Sequence, residues 1–184
     1  MSMEKYNKIH FIGIGGISMS SLAEILKSKG KTITGSDGVA SNVTKALENI
    51  GIQVSIGQKA ENITPDTDLI VYTAAVKEDN PELMAARASG IETVDRAALV
   101  GMMMLEYKFP LSVAGTHGKT TTSSLVTEIF LEANTNPTVS IGGILPSIKG
   151  NYKVGGEDYF ILETCEYCDS FLKFNPHGAI ILNI

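Results

Sequence analysis

The chain has 184 residues, enough for one large domain or two small ones, and its composition is that of a soluble globular protein. Fifteen basic against twenty acidic side chains leave a net charge of -5, which argues against a broad basic surface for nucleic acid or an anionic membrane. Any phosphate site must therefore be local. No apolar run is long enough for a bilayer span, and MSMEKYNK is not followed by a signal-like segment. Cys165 and Cys168 are the only cysteines, so a cytoplasmic, reducing compartment is expected.

From the N-terminus, KIHFIGIG is expected to be a strand, SMSSLAEILKSKG a helix, KTITGSD a strand and SNVTKALENIG a helix. IQVSIG, DLIVYTA and IETV follow as strands, with helices near NPELMAARASG and RAALVGMMMLEYK. This alternation predicts a parallel sheet flanked by helices, an α/β fold. LSVAG restarts the pattern, followed by a helix over KTTTSSLVTEIFLEA and strands at TVSIGG, DYFILET and AIILNI. Two α/β units in tandem are expected, over 1–107 and 108–184, divided near Tyr107 to Pro110 where a helical pattern meets a proline. GNYKVGGED, residues 150 to 158, reads as an exposed connection. Ile184 closes an apolar run without a turn or cap, so the chain is expected to be the front part of a longer protein.

The strand-turn-helix VAGTHGKTTTSSLV at 113–126 carries the densest chemistry. Gly115 and Gly118 let the backbone turn amides toward an anion, Lys119 adds a mobile positive charge, and Thr120 offers a hydroxyl to Mg²⁺. The helix that follows points its positive end at the same place. A full GxxxxGK[ST] pattern needs glycine at 113, where Val113 stands, so the match is to a shortened GxxGKT form. The helical spacing of Leu125, Ile129 and Phe130 supports the helix.

Gly13, Gly15 and Gly16 form a second glycine turn between the first strand and the first helix. A dinucleotide fingerprint needs glycine at 18, where Ser18 stands, and Asp37 ends the second strand where an acid could hold a ribose. This half-match fits NAD and equally any ligand with a diphosphate and a ribose. The amides of the helical turn opened by Ser18, Met19 and Ser20 are the physical anion site.

Glu163 ends an apolar strand, with Glu166 and Asp169 soon after, and is the best-placed acid for Mg²⁺ beside the Thr120 hydroxyl. Cys165 and Cys168 form a CxxC that reads more simply as two packed thiols than as a redox pair or half a zinc site. His10 reads as a packed or edge residue of the first strand, and His117 sits inside the phosphate turn.

With both turns in view, the chain resembles the Mur ligases over its whole length. The resemblance rests on IHFIGIGGISMSSLAEIL at 9–26, GSD at 35–37, AAVKEDNPEL at 74–83, VAGTHGKTTT at 113–122 and FILETCEYCDSFLKFNP at 160–176. Within that family it most resembles the ligase joining L-alanine to UDP-N-acetylmuramate in peptidoglycan precursor synthesis, where position 117 is typically histidine. The resemblance implies a Rossmann-like UDP-sugar domain at 1–107, the front of a P-loop ATPase domain at 108–184, and an absent C-terminal domain. It also implies that Gly13, Gly15, Gly16, Ile17, Ser18, Met19 and Asp37 meet the UDP-sugar. ATP would lie on Gly115, Thr116, His117, Gly118, Lys119, Thr120 and Thr121. Lys119 would neutralise the transferred phosphate, and Thr120 and Glu163 would hold Mg²⁺. Many members read EADESD where this chain has ETCEYC, so both glutamates are kept and two aspartates are cysteines here. The remaining metal ligand and the alanine site would lie downstream.

The implied reaction activates the sugar carboxylate as an acyl phosphate, because an oxyanion leaves poorly, and an amine then displaces phosphate. Three rivals are an NAD-dependent oxidoreductase, a UDP-sugar-binding module without turnover, and the related ligase that attaches a recycled peptide. The oxidoreductase leaves the 115–120 turn unexplained.

Overall fold

The computed structural model describes residues 3–164 and 173–183, and after a short 3-10 turn at Met3–Lys5 its first strand is Lys8–Ile12 (β1). It is followed by Ile17–Ser28 (α1), Thr32–Asp37 (β2), Asn42–Asn49 (α2), Gln53–Ile56 (β3), Leu69–Tyr72 (β4), Pro81–Ala88 (α3) and Glu92–Asp95 (β5). The five strands pair in the order β3-β2-β1-β4-β5, all parallel. β1 is central, which is why Ile9, Phe11 and Ile12 are fully buried. The chain runs outward from β1 to β3 on one side, then crosses to β4 and β5 on the other. The ends of β1 and β4 therefore form the switch point where open α/β sheets leave a crevice. Ile12, Ile70, Leu83 and Ala86 pack α3 against these two strands.

Chain contacts divide the protein into one unit of Glu4–Leu99 and a second that begins at Val100 and includes Met3. The division falls within Arg96–Met104 (α4). The second unit contains Phe109–Ala114 (β6), Lys119–Glu132 (α5), Thr138–Leu145 (β7), Gly150–Lys153 (β8), Tyr159–Glu163 (β9) and Gly178–Ile181 (β10). Its sheet order is β10-β6-β9-β7-β8, parallel except for the antiparallel β7–β8 pair. Pro110 lies inside β6, and its carbonyl accepts from the His177 amide at 2.8 Å.

Two expectations are corrected here. The segment expected to connect over 150–158 begins with a strand, β8, whose Tyr152 and Lys153 pair with Ser140 and Val139. The helix α5 forms where expected, but Leu125 and Ile129 are 60% and 65% exposed. Its inward face carries the buried Ser123 and Thr127, while Val126 and Phe130 pack on the Val139, Ile141, Leu145 and Ile161 cluster. Both hydroxyls are satisfied along the helix, Thr127 donating to the Ser123 carbonyl at 2.7 Å and Ser123 to that of Thr120 at 3.1 Å.

At Gly35 in β2, an added Cβ would lie 2.6 Å from Ile14 Cδ1 and 2.8 Å from the Phe11 carbonyl oxygen. Gly35→Ala is expected to lower stability by about 1–3 kcal/mol through overpacking, measured as a drop in the urea midpoint. Gly38→Ala, where nothing lies within 4 Å, serves as the neutral control.

Candidate functional site

The turn after β1 uses its first amides internally. Gly13 and Ile14 both donate to the Ser36 carbonyl at 2.9 Å, and Gly16 donates to Gly13 at 3.4 Å. Gly15 donates to Asp37 Oδ2 at 2.9 Å, while Asp37 Oδ1 accepts from the Val39 amide at 3.2 Å. The acid expected at a ribose therefore also braces the turn. A Cβ on Gly15 would lie 2.8 Å from that carboxylate, and Gly13 has φ +83° with its Cβ position 2.6 Å from Thr73. Gly16 differs, because nothing lies within 3.4 Å of its Cβ position. As N-cap of α1 it brings no side chain to the helix end.

In front of this turn is an open cavity of about 800 Å³, within the range of small-molecule sites. Gly13, Gly15, Gly16 and Asp37 line one side; Thr73, Val76, Lys77, Asp79 and Asn80 line another. Ile17, Ser18 and Met19 are not among its lining residues. Met19 is buried at 2% exposure, Ile17 is 62% exposed, and the Ser18 hydroxyl accepts from Arg96 at 3.1 Å.

The wall after β4 was assigned no functional residue from the sequence. Its signal was topological: a loop leaving the carboxyl end of the strand that pairs with β1 must border the same crevice. Asn80 caps α3 by accepting from the Glu82 and Leu83 amides at 3.0 and 3.1 Å, and it donates to Gln58 Oε1 at 2.7 Å.

The second turn joins β6 to α5. Gly115 at φ +138° and Gly118 at φ +81° adopt backbone angles that side chains disfavour, and Gly118 is the N-cap. The Thr116 and His117 amides both donate to the side-chain oxygen of Asn183, at 2.6 and 3.1 Å, and Asn183 Nδ2 donates to the His117 carbonyl at 3.1 Å. Two amides expected to meet a phosphate thus meet a carboxamide oxygen instead. Lys119 folds back over the Gly115 and Thr116 carbonyls. Thr116, His117 and Thr121 are exposed.

Thr120 and Glu163 come together from α5 and β9. The Thr120 hydroxyl lies 2.9 Å from Glu163 Oε2, which also accepts from the Gly142 amide at 2.9 Å. These are hard oxygen donors of the kind Mg²⁺ takes alongside water and phosphate. No cluster of three His, Cys, Asp or Glu exists among the described residues. Cys165, Glu166, Cys168 and Asp169 lie outside the described residues. Among those described, no helix is long and apolar enough to cross a membrane.

The profile "Mur ligase family, catalytic domain" matches residues 8–108, more than half of the chain. The chain belongs to the Mur ligase family. That match takes in the first glycine turn and stops short of the second. A UDP-N-acetylmuramate–L-alanine ligase of Agathobacter rectalis is 59% identical over 96% of this chain and 38% of its own length. The chain thus spans well under half of the curated relatives it matches. The crystal structure of UDP-N-acetylmuramate-alanine ligase from Thermotoga maritima superposes with a TM-score of 0.85 at 36% identity, covering 95% of this chain and 40% of that one. The UDP-N-acetylmuramate:L-alanyl-gamma-D-glutamyl-meso-diaminopimelate ligase of Neisseria meningitides gives 0.88 at 28% identity, covering 97% and 60%.

Asn183→Ala removes the shared acceptor of two loop amides, each bond worth about 1 kcal/mol. Hydrogen exchange at the Thr116 and His117 amides is expected to accelerate several-fold, with β1 amides unchanged, as read by NMR.

Proposed function

We propose that this chain supplies the sugar-nucleotide seat and the triphosphate loop of a ligase that joins UDP-N-acetylmuramate to L-alanine. The observation that carries this reading is the Thr120–Glu163 contact at 2.9 Å, behind a turn capped by left-handed Gly118. An oxidoreductase needs no such second phosphate turn. The 59% identical relative bears that ligase name, and the large cavity at the first turn has room for a nucleotide and its sugar.

In the first unit, the positive end of α1 and Lys77 would take the diphosphate, and Asp37 the ribose; Gly13, Gly15 and Gly16 keep the backbone within reach. Ile17, Ser18 and Met19 would contribute through backbone amides. In the second, Gly115, Thr116, His117, Gly118 and Thr121 would surround ATP, whose phosphates would displace the Asn183 oxygen. Lys119 would leave the loop carbonyls for phosphate, and Thr120 and Glu163 would hold Mg²⁺, which supplies charge neutralisation when bound. The sugar carboxylate would attack the terminal phosphorus of ATP and expel ADP, and the alanine amine would then attack the carbonyl carbon of that acyl phosphate, losing a proton and expelling phosphate. The reaction belongs to cytoplasmic peptidoglycan precursor synthesis, on which cell shape and division depend. The functional division we propose is 1–107 and 108–184, whereas chain contacts divide at Leu99 and Val100.

Calorimetric titration of the 184-residue chain is expected to show binding of UDP-N-acetylmuramate and none of NADH; the reverse result sinks the assignment. With a fluorescent ATP analogue, Thr120→Val is expected to weaken Mg²⁺-dependent binding about tenfold while leaving UDP-sugar binding unchanged. Alanine-dependent ATP cleavage is expected only when the chain is joined to the rest of such a ligase.

A further inference from the structure

Beneath the cavity of the first unit lies a polar cluster that none of the proposed steps uses. Glu82 is fully buried and His10 is 3% exposed, and neither lines the cavity. Glu82 Oε1 lies 2.8 Å from His10 Nε2, and Glu82 Oε2 accepts from the Ser36 hydroxyl at 2.6 Å. His10 Nδ1 lies 2.8 Å from Thr34 Oγ1.

We infer that Glu82 is a positioning residue for the sugar-nucleotide seat, tying together the three walls that β1, β2 and α3 send to the cavity. This rests on the sugar-nucleotide reading of that cavity. His10 precedes the glycine turn on β1. Ser36 precedes Asp37, and its carbonyl accepts the Gly13 and Ile14 amides at 2.9 Å. Glu82 itself is the second residue of α3, two places after the cavity-lining cap Asn80. One carboxylate thus joins the strand that leads into the glycine turn, the residue before Asp37 on β2, and the helix that Asn80 caps.

The chemistry of the cluster gives it direction. A carboxylate only accepts, so His10 Nε2 must carry a proton and the Ser36 hydroxyl must point at Glu82. A glutamine there has the same shape but must turn an NH₂ group toward either Ser36 or His10. With the NH₂ toward His10 the imidazole must change tautomer, and with it toward Ser36 the hydroxyl loses its acceptor; either way the cluster no longer has the single arrangement that holds Ser36.

The test titrates the 184-residue chain with UDP-N-acetylmuramate, at a temperature where circular dichroism shows each variant folded. Glu82→Gln and Ser36→Ala are expected to weaken binding at least fivefold and to move the Gly13 and Ile14 amide resonances before ligand is added. Thr34→Val, which removes the His10 partner on the side away from the glycine turn, is expected to lower the melting temperature while keeping affinity within twofold. Should Glu82→Gln not fold, Ser36→Ala carries the comparison, because it deletes a single hydroxyl. Wild-type affinity in Ser36→Ala, or an equal loss in all three variants, overturns the positioning role. Failure of the wild-type chain to bind the sugar nucleotide is a different result, which removes the reading of the cavity and this inference with it.

Discussion

The Ser36 carbonyl accepts two amides of the first glycine turn, and the shape of the crevice follows from that arrangement. A strand that ends at a parallel sheet's edge delivers backbone N–H groups that need partners. Here Gly13 and Ile14 find theirs in the neighbouring strand, and Gly15 finds one in Asp37. The turn is therefore locked to β2 before any ligand arrives. Beyond Gly16, which brings no side-chain cap, begins the positive end of α1, and a helix end of that sign favours an anion.

The second turn meets the same requirement differently. Its glycines take left-handed angles and point the Thr116 and His117 amides at a side-chain oxygen. Asn183 is a neutral acceptor, and a phosphate oxygen is a charged one that makes stronger hydrogen bonds to the same donors. Exchange of one for the other keeps the two amide bonds and strengthens them, while the bond that Asn183 donates to the His117 carbonyl is given up. Lys119 is bonded to two carbonyls of its own loop, and these bonds are weaker than a bond to an anion would be. The first turn is thus preformed by backbone bonds and the second is held by exchangeable contacts.

Much of this was legible in the residues. The glycines at 13, 15, 115 and 118 and the apolar runs before them place both turns, because few other sequences let a buried strand end in a tight bend before a helix. Glu163 was legible as a strand-end acid, and the structure brings it to Thr120. The inward face of α5 was not, because Ser123 and Thr127 satisfy their hydroxyls within the helix and so occupy apolar surroundings, while Leu125 and Ile129 stay exposed. Strand β8 was hidden for a related reason: Gly150 to Lys153 has no apolar alternation, and its pairing comes from the partner strand β7. The cavity wall at Thr73 to Asn80 required the strand order, since no local pattern tells which loop will face another across a sheet.

Glu82 was legible only as the helix residue after a proline, and its burial poses an energetic question. Taking a carboxylate out of water costs several kcal/mol even after relaxation, and an apolar side chain of similar volume can be equally stabilising. Stability alone therefore gives no reason for a carboxylate at this position. Direction does: an apolar residue fills space without telling a serine hydroxyl or an imidazole which way to turn. The backbone of Ser36 continues into Asp37 on one side and accepts the glycine turn on the other, so a small rotation there reaches both. A charged acceptor at the start of α3, compensated by the helix end and two donors, fixes that rotation more tightly than packing does.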